Sequence, residues 1–352
     1  TTIVTAVAAV FFPLDEQLRL RGKHWSEGLL KEMMWLSGRG TYAEAEEALA
    51  RIGQVTISDS SVWRQVQRWG AGFQGLAEAE RIRSNLVPGR YGAPLKVREP
   101  RGRMGVAMDG GMMNIRGEGW KELKVGTVFR VEVGHVRDEQ TGDWIEAAQA
   151  VGNSHVGHLG GPEKFGEMMW AEADRRGWDQ AADTQVLGDG APWIWNLAMD
   201  YFYAGRQAVD WYHAKEHLAT VARLLKGDGT RAMKLWCNAR ATMLFQGGAA
   251  RIAQELVTEA QAQPALATAL QREAGYFHRN QRRMQYQELR EDGWPIGSGM
   301  VESSCKQFKA RFSGPGMHWS RPGAERLIPV RAAIMSHRFD DLWRRVYNSP
   351  QN

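Results

Sequence analysis

The feature that most constrains this chain is a change in the repeat of its apolar residues. Between about residues 104 and 213 they alternate or form short continuous runs, while on both sides they recur at helical spacing. Leu123, Val125, Thr127, Phe129, Val131 and Val133 alternate and predict one long strand. Residues 104–109 and 184–189 predict two short buried strands, each ending at an acid, and residues 144–151 and 207–213 predict two more. Helices are predicted at about 162–176 and 192–202. The order is three strands, helix, strand, helix, strand, which predicts an α/β fold: a mixed sheet with helices on its faces.

The flanks read as helices. Residues 25–37 and 41–52 are amphipathic, and the Ser58-Asp-Ser-Ser cluster caps a helix through Val62, Val66 and Trp69, which share one face. Ser61, Arg64, Gln65 and Arg68 share the opposite face. This is the pattern of a helix-turn-helix over about 41–70 whose second helix could enter a DNA major groove, although a plain helical hairpin with a solvated face reads the same way. Residues 85–103 are rich in Pro and Gly and read as a linker. Residues 214–291 show helical signals only, at 216–225, 231–245, 248–262 and 264–278. The chain then passes through Gly293-Trp-Pro-Ile-Gly-Ser-Gly to helices at about 300–312 and 324–338. The expected segments are therefore 1–84 (helical, DNA-binding), 85–103 (linker), 104–213 (sheet), 214–291 (helical insertion) and 292–352 (the rest of the sheet domain).

Charge separates these segments. The net charge of +5 is modest, but residues 1–213 carry −4, residues 214–290 carry +6, residues 291–305 carry −3 and residues 306–352 carry +6. A basic surface confined to the C-terminal part suits a polyanion. The two cysteines, Cys237 and Cys305, have no C-x-x-C spacing, so neither a disulfide framework nor a zinc site can be read from them. The apolar run from Ile3 to Phe12 is too short to span a bilayer and lacks the pattern of a secretory signal. A cytoplasmic, nucleoid-associated protein without a membrane partner is expected. The start at Thr1 suggests a trimmed or incomplete chain.

Three acids stand out. Asp109 and Asp189 each end an apolar strand and precede glycine, where chemistry gathers in open α/β sheets, although Asp-Gly also begins many ordinary turns. Glu302 lies in Gly297-Ser-Gly-Met-Val-Glu-Ser-Ser-Cys-Lys at the start of the returning helix. Lys306 and Lys309 share its face and Arg311 is close, so an acid and a row of bases could face one groove. A surface helix with Glu–Lys support has the same pattern.

In order along the chain, several longer blocks resemble the bacterial ISKra-type insertion-sequence transposases, relatives of the Mutator-like DDE group. They are Asp109-Gly-Gly with Trp120-Lys-Glu-Leu-Lys-Val-Gly; Leu187-Gly-Asp-Gly-Ala-Pro-Trp-Ile-Trp; Val209-Asp-Trp-Tyr-His-Ala-Lys-Glu-His-Leu; Tyr276-Phe with Asn280 and Arg283-Met; and Pro295-Ile-Gly-Ser-Gly-Met-Val-Glu-Ser-Ser-Cys-Lys. The resemblance implies a ribonuclease-H-like core interrupted by an α-helical insertion after the fifth strand, and an N-terminal helix-turn-helix that recognises transposon ends. It implies Asp109, Asp189 and Glu302 as the triad holding two Mg²⁺ or Mn²⁺ ions, and Asp210 with His213 as a further pair in the site.

Such carboxylates repel one another, and divalent ions relieve this while accepting hard oxygen ligands. Two ions about 3.5–4 Å apart could activate a water or 3′-hydroxyl and stabilise the leaving oxygen of an in-line displacement. The expected activity is therefore strand cleavage at transposon terminal inverted repeats followed by strand transfer into target DNA. Joining two ends makes a homodimer or larger assembly the natural expectation. His213 would contact the scissile phosphate, orient a ligand or hydrogen-bond Asp210. Trp193 and Trp195, next to Asp189, would stack on an unpaired base or pack against the sheet. Two other functions remain open: a DNA-binding regulator that no longer transposes, and a zinc metalloprotease using His213-x-x-Glu216-His217. His155 and His158 are expected in a loop between elements rather than as metal ligands.

Overall fold

The computed structural model describes residues 25–84, 102–137 and 142–349. The Ile3–Phe12 run and nearly all of the expected linker lie outside the described residues. Three helices come first: α1 (Glu27–Arg39), α2 (Tyr42–Arg51) and α3 (Asp59–Arg83). They are followed by strands β1 (Arg103–Ile115), β2 (Gly119–Arg137) and β3 (Trp144–Leu159), helix α4 (Pro162–Arg175), β4 (Asp183–Gly188), α5 (Pro192–Tyr201) and β5 (Arg206–Val209). Next comes the helical block of α6 (Trp211–Lys226), α7 (Arg231–Phe245), α8 (Ala249–Ala262), α9 (Ala267–Asn280) and α10 (Tyr286–Glu291). The chain ends with α11 (Gly299–Phe312), α12 (Arg321–Met335) and α13 (Phe339–Asn348).

The fold is α/β, with one mixed sheet in the order β3-β2-β1-β4-β5. β2 runs antiparallel to β1 and β3, whereas β4 runs parallel to both β1 and β5. Side-chain alternation sorts the sheet into two faces. Met104, Val106, Met108, Val128, Val156 and Val186 join Phe165, Met169 and Trp170 of α4, Ile194 and Trp195 of α5, and the apolar sides of α6, α8 and α9 in a single buried cluster. The other face carries Gly105, Ala107, Asp109 and Gly111 of β1. There the Thr127 hydroxyl meets that of Ser304 on α11 at 3.0 Å.

The chain forms two compact units, divided otherwise than the expected segments. One comprises residues 77–325 and contains the sheet, the helical block and α11; the other comprises residues 1–76 together with 326–352. In the second unit the apolar face of α3 is buried as its spacing predicts. Trp69 stacks on Tyr347 and tilts against Trp343, and Phe73 stacks on Phe339. Helix α13, which was not foreseen, supplies these partners. The final residues therefore belong with the N-terminal helices rather than with the sheet. A capping box between Thr41 and Glu44 starts α2.

Strand boundaries differ from expectation: β1 runs past Asp109 to Ile115, and β3 and β5 differ for identifiable physical reasons. β3 continues through His155 and His158 to Leu159, because Gly152 marks a β-bulge rather than a strand end. Its φ is +59°, and the register shifts there, with Ser154 opposite Val128 but Val151 opposite Arg130. β5 stops at Val209, because Asp210 caps a helix that already includes Trp211, Tyr212 and His213. The apolar run on which a strand to 213 rested crosses that cap without changing character.

His158 is largely buried on β3, and that burial, with Lys164, Lys124 and Arg321 nearby, lowers its pKa from 6.5 to about 4. The unfolded chain then binds the extra proton between these values, so stability is retained above pH 6.5 and lost as pH falls towards 4. The shift corresponds to at most about 3 kcal/mol. Urea unfolding across pH 4–7.5 should show His158→Gln losing measurably less stability over this window than the wild type. Parallel curves would remove His158 as the source.

Candidate active site

Two acids are brought to neighbouring positions by strand register alone. Met108 of β1 is paired with Gly188 of the parallel strand β4, so Asp109 and Asp189 come next on adjacent strands. β1 continues beyond Asp109, which is paired with Val125 of β2, whereas β4 ends at Gly188 and the chain turns away. Asp109 Oδ1 accepts the Gly110 N–H at 2.6 Å, and Asp189 Oδ1 accepts the Ala191 N–H at 2.8 Å. Gly190 supplies the left-handed φ of +104° that the turn requires, and Pro192 then opens α5. Burial raises the pKa of the Asp189 carboxyl and the like charge of Asp109 adds to this, while the Ala191 N–H and His213 oppose it. The pair is a half-buried concentration of negative charge.

Helix α11 lies across the same face of the sheet. Cys305 is buried and its side chain hydrogen-bonds Asp109; burial first, then Asp109, pushes its thiol far above the ordinary range. The thiol therefore stays protonated and donates to the carboxylate. One turn further along, Lys309 runs over Gly111, where an added Cβ would stand 2.8 Å from the lysine Cε. Glu302 is one turn before Cys305 on that side of the helix, half-buried, with the Ser298 hydroxyl 3.5 Å from its Oε1. Among the described residues, no three His, Cys, Asp or Glu side chains converge closely enough to hold a metal ion. The arrangement thus assembles the pair Asp109 and Asp189, with Glu302 on the adjoining helix but not gathered into one ligand set.

Asp210 is 1% exposed. Its carboxylate accepts the His213 N–H and the Ser298 N–H, both at 2.5 Å, so it caps α6 and fixes the residue that precedes α11. Its own N–H donates to the Gly188 carbonyl, and the Trp211 N–H donates to Ile296. Asp210 therefore bonds the backbone of His213 rather than its ring. The His213 ring is partly exposed, 3.6 Å from Glu216 Oε2 and edge-on to His217.

No family model matches this chain, and no curated protein matches it.

Other side chains fall in different surroundings. His217 Nδ1 lies 2.5 Å from the buried Glu273 carboxylate and its ring stacks on Tyr276, so the His213-x-x-Glu216-His217 motif presents no open ligand set. Arg311 is 3% exposed, with its guanidinium over the Trp319 ring, and does not share the exposed face with Lys306 and Lys309. Trp195 is 6% exposed in the core beneath Arg283, which lies 4.4 Å from the ring centre. Trp193 is half-buried between the Phe165 edge and the Lys124 ammonium. His155 Nδ1 sits 2.8 Å from the Ser304 hydroxyl, supporting α11. On α3, Arg64 and Arg68 are exposed and Ser61 and Gln65 half-buried, with Arg64 donating to the Ser61 hydroxyl.

Sequence reasoning missed Cys305 and the role of Tyr276. Cys305 is three residues beyond Glu302, and helical spacing alone places it on the same side. Tyr276 reaches the site across 87 residues, a contact that no local pattern announces.

Replacing Asp210 by Ala would leave two buried N–H groups without their acceptor and should cost about 2–4 kcal/mol in denaturant unfolding. Asp210→Asn keeps one acceptor oxygen and should cost clearly less. Equal losses in the two variants would show that the shared acceptor is not what matters.

Proposed function

We propose that this protein is a DDE transposase that cuts transposon ends and joins them to target DNA, with Asp109, Asp189 and Glu302 as its catalytic acids. The single observation that carries this reading is the register placing Asp109 and Asp189 side by side on β1 and β4, beneath the helix that bears Glu302. The strand order, with three antiparallel strands followed by two parallel ones, and the helical block between β5 and α11 are the arrangement expected of a ribonuclease-H-like core with an insertion.

The donor set fits hard divalent cations such as Mg²⁺ or Mn²⁺. Asp109 and Asp189 offer carboxylate oxygens whose mutual repulsion a cation would relieve. Among the described residues, neither they nor Glu302 form an ion pair with Lys, Arg or His, whereas Glu118, Glu122, Glu172 and Glu273 all do. Glu302 would complete the set from α11. When bound, such ions activate the attacking oxygen and stabilise the leaving one. The chain's own residues hold the frame: the Cys305 thiol orients Asp109, Asp210 anchors the start of α11, and Lys309 places a cation beside β1 where a phosphate would pass. Exposed Arg64 and Arg68 on α3 suit contact with duplex DNA, and working on two ends at once calls for at least a dimer.

The test uses labelled duplexes carrying the ends of the element that encodes the protein, with Mg²⁺ or Mn²⁺. Wild type should cut at the ends, and Asp109→Ala, Asp189→Ala and Glu302→Ala should each lose about a hundredfold or more in rate while still binding the duplex. Equal cutting by all four proteins would eliminate this site.

A further inference from the structure

The helical block touches the site at one point that the proposed chemistry does not use. Tyr276 on α9 donates its hydroxyl to the main-chain carbonyl of Asp189 at 3.0 Å. Its ring fills the space beside Gly190, where an added Cβ would stand 2.6 Å from the Tyr276 ring and 3.3 Å from Asn280 Nδ2. The turn carrying Asp189 is therefore clamped on its carbonyl by a hydroxyl and on its far side by an aromatic face.

The clamp is itself held. The Tyr276 ring stacks on the imidazole of His217 from α6, with ring centres 3.6 Å apart and planes 18° from parallel. His217 is fixed by Glu273, whose carboxylate is buried and also receives Arg272. Phe277 packs edge-on against Tyr276 from the core side. Burial keeps the Tyr276 hydroxyl protonated, so it stays a donor throughout the working pH range.

We infer that Tyr276 is a positioning residue for Asp189, through which the helical block sets the direction of that carboxylate; the inference rests on the proposed role of Asp189 in the site. The physical link is short. The Ala191 N–H that holds Asp189 Oδ1 belongs to the same turn whose carbonyl Tyr276 holds. Releasing the carbonyl frees the peptide planes on both sides of Gly190, whose φ of +104° lies in a region open to glycine and easily left. A carboxylate that swings by even an ångström is a poorer ligand and a slower catalyst.

The experiment compares full-length wild type, Tyr276→Phe, Glu273→Gln and Asp189→Ala. Tyr276→Phe keeps the ring, its stack on His217 and the filled space beside Gly190, and removes only the donor. Glu273→Gln keeps the shape of its side chain and weakens the hold on His217. Two quantities are read: hydrogen–deuterium exchange of the segment 187–193 without metal, and the single-turnover rate of end cleavage with Mn²⁺ at saturating duplex. Tyr276→Phe should raise exchange in this segment about tenfold while leaving β1 and β2 unchanged. It should slow cleavage about tenfold, with duplex affinity within about twofold of wild type. Glu273→Gln should move both quantities in the same direction by less. Wild-type exchange and wild-type cleavage in Tyr276→Phe would overturn the inference, and so would a loss confined to duplex affinity. Cleavage that Asp189→Ala leaves intact would sink the transposase reading instead, and the exchange measurement would still decide whether Tyr276 holds the turn.

Discussion

The candidate site depends on one buried carboxylate that takes no part in the proposed chemistry. Asp210 ties together three stretches of chain far apart in sequence: the end of β4 through its own N–H, the first turn of α6 through the His213 N–H, and the approach to α11 through the Ser298 N–H. Burying a charge is costly unless it is well hydrogen-bonded, and here main-chain donors supply the bonds. The strand that delivers Asp189 and the helix that bears Glu302 and Cys305 thereby share one anchor. An insertion of five helices between β5 and α11 is tolerated because its two ends meet at this residue. Loop length adds little to the cost of closure once the ends are fixed.

A second constraint is size. For α11 to lie over β1, the strand must present little bulk on that face, and it does so through Gly105, Ala107 and Gly111 around Asp109. Side chains from elsewhere take the vacated space: the Phe129 ring covers Gly105, and Lys309 crosses Gly111. Polar groups buried under the helix find partners, with Thr127, Ser304 and His155 forming one hydroxyl–imidazole cluster. On the opposite face, bulky residues from α4, α5 and the helical block build the main core, while the face beneath α11 carries the acids.

Much of this was legible from residue spacing, because alternation and helical periodicity report which face of an element is buried. The five strands and the helix-only block followed from that. Local patterns failed where one residue type serves two purposes. Gly152 reads as a strand end but forms a bulge, so His155 was placed in a loop. Asp210 lies inside a run that reads as strand through His213 but is a helix cap, so β5 was drawn too long. Arg311 reads as a phosphate ligand by charge, yet its guanidinium packs on Trp319, a contact set by tertiary structure. Helix α13 completes a core whose other half begins some 270 residues earlier, and only the aromatic residues of α3, waiting for partners, hinted at it.

The distribution of charge supports the same functional reading from another direction. Glu273, Glu122, Glu118 and Glu172 each meet a basic side chain, and Asp210 is met by main-chain donors. Asp109 and Asp189, which follow paired positions on adjacent strands, are met by a thiol and backbone N–H groups, with the His213 ring also favouring the Asp189 carboxylate. Among the described residues, Asp109 and Asp189 contrast with these four glutamates in forming no ion pair. Burial first, and the like charge of Asp109 after it, raises the pKa of Asp189, which costs stability when the carboxyl is ionised, since the folded state then holds a charge that the unfolded chain would solvate freely. Such a cost persists at functional sites because the same charge attracts what the site is built to bind. Under the proposed function that is a divalent cation, which hard oxygen donors suit, and the lysine that crosses Gly111 would meet a polyanionic substrate.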